Sequence, residues 1–175
     1  MHTMYYTKTA HHRISRGFGL LEILVSSAII SASLVALVAV IQLSFNATEE
    51  ALLKTQAEFL AEEGLEAVRI LRDESWSTRI APLANGTLYY PVFASSTSTW
   101  SLSGSDPGFL HNRFTRTIHF AAVCRKNADD DIIACSSADP HYTDAGTKEV
   151  TSRLTWGNSE KEVVFRGYIT DLFSN

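Results

Sequence analysis

Ile23-Leu-Val-Ser-Ser-Ala-Ile-Ile-Ser-Ala-Ser-Leu-Val-Ala-Leu-Val-Ala-Val-Ile-Gln-Leu-Ser-Phe45 is a run of 23 residues without a formal charge. As a helix rising 1.5 Å per residue it spans roughly 35 Å, enough to cross a hydrocarbon core of about 30 Å. Upstream, residues 1–17 hold Lys8, Arg13 and Arg16, three histidines and no acid. A basic flank stays on the cytoplasmic side, so everything after residue 46 is expected to be exported. An ordinary secretory signal places its small-residue cleavage site after the apolar stretch. No such site stands out before the acidic segment that begins at Glu49.

A small residue stands before the run instead, in Ser15-Arg16-Gly17-Phe18-Gly19-Leu20-Leu21-Glu22. Arg-Gly-Phe, a carboxylate four residues after the Phe, and then some twenty apolar residues resemble the class III signal of type IV pilins and pseudopilins. The resemblance implies cleavage by a prepilin peptidase between Gly17 and Phe18, with N-methylation of Phe18. It assigns to Glu22 the registration of one subunit against the next, through the Phe18 amine of a neighbour. Such a pair attracts strongly where water is absent, and a single buried polar group can set the register of packed helices. The other reading of Glu22 is a snorkelling or protonated side chain near the interface, where a charge costs less than at mid-membrane. Removing residues 1–17 leaves 158 residues with 12 basic and 19 acidic side chains, a net charge of −7.

Ser26, Ser27, Ser31 and Ser33 punctuate the run, with alanines between them. Small residues permit close helix approach in lipid; they also serve as neutral filler. The mid-helix proline of many pilins is missing, so nothing marks a kink.

Beyond the run, Leu53, Ala57, Leu60, Gly64, Val68 and Leu71 recur at three-to-four spacing, the mark of an amphipathic helix with one buried stripe. Gly64 lies on that stripe and predicts close approach by a sheet or helix. Glu50 with Lys54, and Glu66 with Arg69, are spaced as intrahelical ion pairs. Glu58, Glu62, Glu63 and Glu66 read as a solvated face. No breaker separates this segment from the apolar run, which predicts one helix from about Phe18 to about Glu74, with Trp76 folded back over its end. Residues 59–73 resemble the corresponding segment of some minor pilins.

All four prolines lie beyond residue 81, and only three of the nine glycines lie before it. The second half is therefore turn-rich. Strands are expected at Thr87–Ala94, at an edge or irregular because of Pro91, and at Arg113–Val123, with Phe114, Ile118, Phe120 and Ala122 on one face. Further strands are expected at Lys148–Trp156 and Glu162–Leu172, joined by a hairpin at Gly157-Asn158-Ser159-Glu160. Ser95–Asp106 reads as an exposed connection holding at most one short strand. The sum is an antiparallel sheet of three to five strands, whose apolar face the stripe at Leu53–Leu71 can cover.

Two cysteines cannot make a four-ligand zinc site alone. Cys124 and Cys135 are expected to form a disulfide if they lie outside the cytosol, as the topology argument places them, and to be packed thiols otherwise. Between them, Asp129, Asp130 and Asp131 are the weak metal candidates, since acidic loops of some pseudopilins bind Ca²⁺. Three consecutive acids lack the alternate spacing of an EF-hand loop, and a solvated turn is the competing reading. His111, His119 and His141 are scattered. Asn46-Ala-Thr and Asn85-Gly-Thr match glycosylation sequons, triplets that also arise by chance. No phosphate loop, nucleophile elbow or metal motif is found.

With 45% apolar and 10% aromatic residues the chain is not globally disordered, and a net charge of −4 argues against a nucleic-acid binder driven by bulk positive charge. The expected fold is α+β, the type IV pilin architecture of a long N-terminal helix packed on a small antiparallel sheet. The expected organisation is a cleaved leader (1–17), a transmembrane and filament-core helix (18–45), its amphipathic continuation (46–76) and an exported β-rich region (77–175). The expected function is that of a structural, non-enzymatic subunit of a type IV pilus-like filament, of the minor pilin kind, needing no cofactor. Its expected partners are other pilin subunits, the prepilin peptidase, the assembly platform and the cytoplasmic membrane, and it ends in an extracellular filament. The alternatives are a pseudopilin of a type II secretion or DNA-uptake system, and a signal-anchored binding domain that never polymerises.

Overall fold

The structure is a computed structural model that describes residues 19–172. Gly17 and Phe18, the expected cleavage and methylation sites, lie outside the described residues. Helix α1 runs Leu20–Glu74 as one element. The chain divides into two compact units after Thr48.

In the first unit every described residue is exposed, including Leu24, Ile30, Val38 and Phe45. This stretch is long and apolar enough to cross a membrane. Its hydroxyls turn inward on the helix. Ser27, Ser33, Ser44 and Thr48 donate to the carbonyls of Leu24, Ile29, Val40 and Ser44 at 2.8–2.9 Å. Satisfied in this way, they can enter apolar surroundings without the cost of an unpaired polar group.

The second unit joins the rest of α1 to an antiparallel sheet. After Glu74, Ser75 caps a single wide helical turn, Trp76–Ile80, by accepting from the Thr78 amide. The strands are β1 (Leu88–Ala94), β2 (Thr99–Ser103), β3 (Thr115–Lys126), β4 (Ile132–Ile133), β5 (His141–Trp156) and β6 (Lys161–Thr170). Their order is β2-β1-β3-β5-β6, with the short β4 pairing β3. The β5–β6 turn needs left-handed backbone at Gly157, Asn158 and Ser159, residue types of which the first two adopt it readily.

Alternation along the strands supplies the core. Val68 and Leu71 of α1, with Trp76 and Ile80, pack on Ile118, Phe120, Val150 and Ile169. Nearer the start of the unit, Ala57 and Ala61 meet Phe114, Leu154 and Trp156. The expected α+β class and helix-on-sheet arrangement are what the structure shows.

Several local expectations change. There are six strands, because the two-residue β4 forms inside the cysteine loop. β1 is not at the edge but between β2 and β3. Its pairing with β3 stops at Tyr89, two residues before Pro91, so the missing proline N–H interrupts no ladder on that side. The register of β3 against β5 shifts between Ala122 and Val123, which leaves Ala122 exposed and buries Val123 and Cys124. Glu50 pairs with Lys161 of β6 at 2.7 Å rather than with Lys54. Glu66 and Arg69 do pair.

Candidate functional site

Three features of the chain can act on other molecules or hold the parts that do. The first is the opening of α1. Glu22 lies in its first turn, its amide donating to the Gly19 carbonyl at 2.9 Å. Glu22 is exposed, and it is the one charged residue between Gly19 and Thr48. In the described chain no residue covers its carboxylate or the apolar side chains that follow.

The second feature is a polar clamp that seats the later part of α1 on the sheet. A Cβ added to Gly64 would stand 2.7 Å from Ser152 Oγ and 3.1 Å from Arg116 Cδ, so only glycine permits this approach. Ser152 Oγ donates to the Ala61 carbonyl at 2.7 Å in a fully buried setting. Arg116, its side chain 3% exposed, donates from Nη1 to the Leu60 carbonyl at 2.9 Å and pairs with Glu63 at 2.5 Å. Its guanidinium lies over the Trp100 ring at 5.4 Å, and its Nε is buried without a partner. Glu63 therefore does more than face water: it neutralises a buried cation. Lys148 on β5 donates to the carbonyls of Leu83 and Ala81, which fixes the turn after α1. Burial pushes the Lys148 ammonium below the ordinary lysine range.

Arg116 and Lys148 escape a reading based on apolar alternation because they carry charge. The signal available for Arg116 was its register, since it falls between Phe114 and Ile118 on the inward face of β3.

The third feature is the arm beyond the bulge. Cys124 and Cys135 are joined by a disulfide, with Cα atoms 5.1 Å apart. It ties β4 to β3 where Cys124 pairs with Ile133. Across the arm, Arg125 Nε donates to Asp144 at 2.6 Å and Arg125 Nη1 to the Asp130 carbonyl at 2.9 Å. The hydrogen bond from Arg125 holds the Asp144 carboxyl below the usual aspartate range, and the same bond raises Arg125. Tyr142 donates to Asp130 Oδ1 at 2.9 Å, which raises the Tyr142 phenol.

Asp129, Asp130 and Asp131 do not converge. Asp129 accepts from the Asp131 amide, and Asp130 from Tyr142. Among the described residues no three His, Cys, Asp or Glu side chains group as a metal site. His111 lies on an exposed loop, His119 on β3, and His141 donates from Nδ1 to the Asp139 carbonyl at 2.8 Å.

No protein family, curated protein or solved structure matches the chain.

Proposed function

We propose that the chain is a structural subunit of a type IV pilus-like filament. It enters the cytoplasmic membrane through α1, loses residues 1–17 to a prepilin peptidase, is N-methylated on Phe18, and polymerises on an assembly platform beside other pilin subunits. The observation that carries this reading is the division of labour along α1. One stretch is built into a sheet by Gly64, Ser152 and Arg116, while the stretch from Leu20 to Thr48 exposes every side chain and holds a single carboxylate at Glu22. An apolar helix meant only as an anchor has no use for that carboxylate. A helix that must stop at one register against a neighbour does. The disulfide agrees with a domain that works outside the cytosol.

Mass spectrometry of the N-terminus in the native host tests this directly. The expected mature chain starts at N-methyl-Phe18, and Gly17→Val leaves the precursor uncut. Filaments that retain Met1–Gly17 overturn the processing. Glu22→Leu keeps the chain in the membrane and lowers its incorporation into filaments; unchanged incorporation removes the registration role. A correctly cut chain that is never recovered in the sheared filament fraction returns the reading to a signal-anchored domain.

A further inference from the structure

We propose that opposite edges of the sheet form a head-to-tail contact between copies of this chain, with β6 of one copy seated on an aromatic groove of the next and Arg166 beside Asp106. The contact deepens the filament reading and rests on it.

The groove lies at the β1–β2 end of the sheet. Two cavities of about 410 and 350 Å³ adjoin there, sharing Leu60 and His111. Phe59 of α1 stands at one end, and Phe93, Trp100 and Pro107 line the other. Phe59 is 68% exposed and Phe93 49%. A contiguous aromatic patch of this kind on a water-facing unit marks an interaction surface. Its rim is acidic. Asp106, next to Pro107, caps the Gly108 amide with Oδ1 at 2.8 Å and has no cation beside it. The Glu63 carboxylate is 48% exposed even though it pairs with Arg116. With Glu63 already paired, Asp106 is the rim's unpaired acid, so an occupant with apolar side chains and one positive charge complements the groove.

This chain carries such a surface on its other side. β6 closes the opposite end of the strand order and pairs only with β5, so its outer backbone edge is free to meet another molecule. Tyr168 is exposed on the same face as Arg166, and Phe165 is exposed on the other face of the strand. Among the described residues, nine arginines and lysines are in ion pairs with acids. Lys148 is held by carbonyls. That leaves Lys54 on α1 and Arg166 in the middle of β6; among the described residues Arg166 is the one cation of the sheet held by neither an acid nor a carbonyl. The two surfaces differ, so the contact is heterologous and repeats from copy to copy rather than closing on a pair.

The test uses the full-length chain in its native membrane host. The sheared filament fraction is quantified, and the mature N-terminus is weighed in the same samples. Arg166→Glu, and separately Asp106→Asn, which keeps the Gly108 cap, should each lower incorporation about threefold, the size of one exposed ion pair. Phe59→Ser, at a side chain already in water, should lower it about tenfold or more, as loss of an aromatic anchor does. Arg166→Glu combined with Asp106→Lys should recover incorporation relative to either charge change alone. Arg166→Lys supplies an amine, and carbodiimide treatment of filaments should then join position 166 to Asp106 of a neighbour. A combined variant no better than the product of its parts, together with no such cross-linked peptide, overturns the contact. If the wild type is cut after Gly17 and incorporated while these results fail, only the contact falls. If the wild type is neither cut nor incorporated, the filament reading falls with it.

Discussion

Small residues recur along both stretches of α1, and the two stretches use them differently. Between Leu20 and Thr48, alanines and serines alternate with large apolar side chains, and all are exposed. Between Glu49 and Glu74, Ala57, Ala61, Gly64 and Ala67 are buried because the sheet reaches them. A small residue gains structural meaning only where a second surface arrives. In the later stretch the chain supplies that surface itself. In the earlier one it does not, and the apolar side chains from Leu20 to Thr48 stay bare in the described chain.

The sharpest way to break this comparison is to enlarge one small residue in each stretch. Gly64→Leu forces a side chain into Ser152 and Arg116 and displaces the buried Ser152–Ala61 hydrogen bond. The expected cost is about 4 kcal/mol, the upper range of overpacking plus one lost hydrogen bond. Ser33→Val should leave the melting temperature of the β-rich unit unchanged. Thermal unfolding of the detergent-solubilised chain followed by circular dichroism checks both, and equal losses would erase the distinction.

A second comparison sets the arm against the body of the sheet. Cys124→Ser opens a loop of ten intervening residues, and the chain-entropy model assigns such a loop about 3 kcal/mol. Protease cleavage between residues 124 and 135 should rise, while the clamp at Gly64 stays intact. Alkylation of both sulfurs without reductant, read by intact mass, would count against the bond.

Glu63→Ala asks how much the clamp depends on charge. Arg116 would remain buried with only the Leu60 carbonyl on its Nη1. The cost should be about 2 kcal/mol, below the roughly 3–5 kcal/mol of a fully buried pair because Glu63 is half in water. Glu62→Ala, on the same helix and exposed, should cost nothing measurable, and chemical denaturation separates the two.

The smallest expected effect is pH dependence in the arm. Asp144 has its folded pKa lowered by Arg125, so its contribution is fully present above the ordinary aspartate range, near 4, and is lost as pH falls through the lower folded value. Asp144→Asn should therefore lower the melting temperature slightly at neutral pH, and its difference from wild type should shrink as pH falls below about 4. A difference that persists in acid would mean that packing, not charge, is what Asp144 supplies.

Periodicity made the helix legible. The stripe through Ala57, Gly64, Val68 and Leu71, and the alternation of Val150, Ser152, Leu154 and Trp156, gave both faces of the core. What was hidden was polar or long-range. Arg116 and Lys148 carry charge, and nothing local says that the carbonyls of Leu60 and Leu83 receive them across separations of 56 and 65 residues. Glu50 had a plausible partner four residues away and a better one in Lys161, 111 residues away. Ala122 fits the inward alternation until the bulge turns it out, and one extra residue in a ladder leaves no mark in composition. At the candidate site, Glu22 was visible because it is a lone charge in a long apolar run. The aromatic groove was not, because its residues come from α1, β1, β2 and a loop.

The strand order also sets a timetable for folding. β5 and β6 zip through a tight turn, from Trp156–Lys161 out to Thr147–Thr170, and β3 joins as the next neighbour. The clamp contacts between helix and sheet close loops of 53 to 91 residues and carry the larger entropic cost. Loop-closure entropy predicts that the sheet gathers before the helix stripe docks, an order that φ-values at Val150 and Val68 would check. Chains caught before that step present Ile118, Phe120 and Val150 bare. The Ala57–Leu71 stripe of another chain fits that surface as well as their own does.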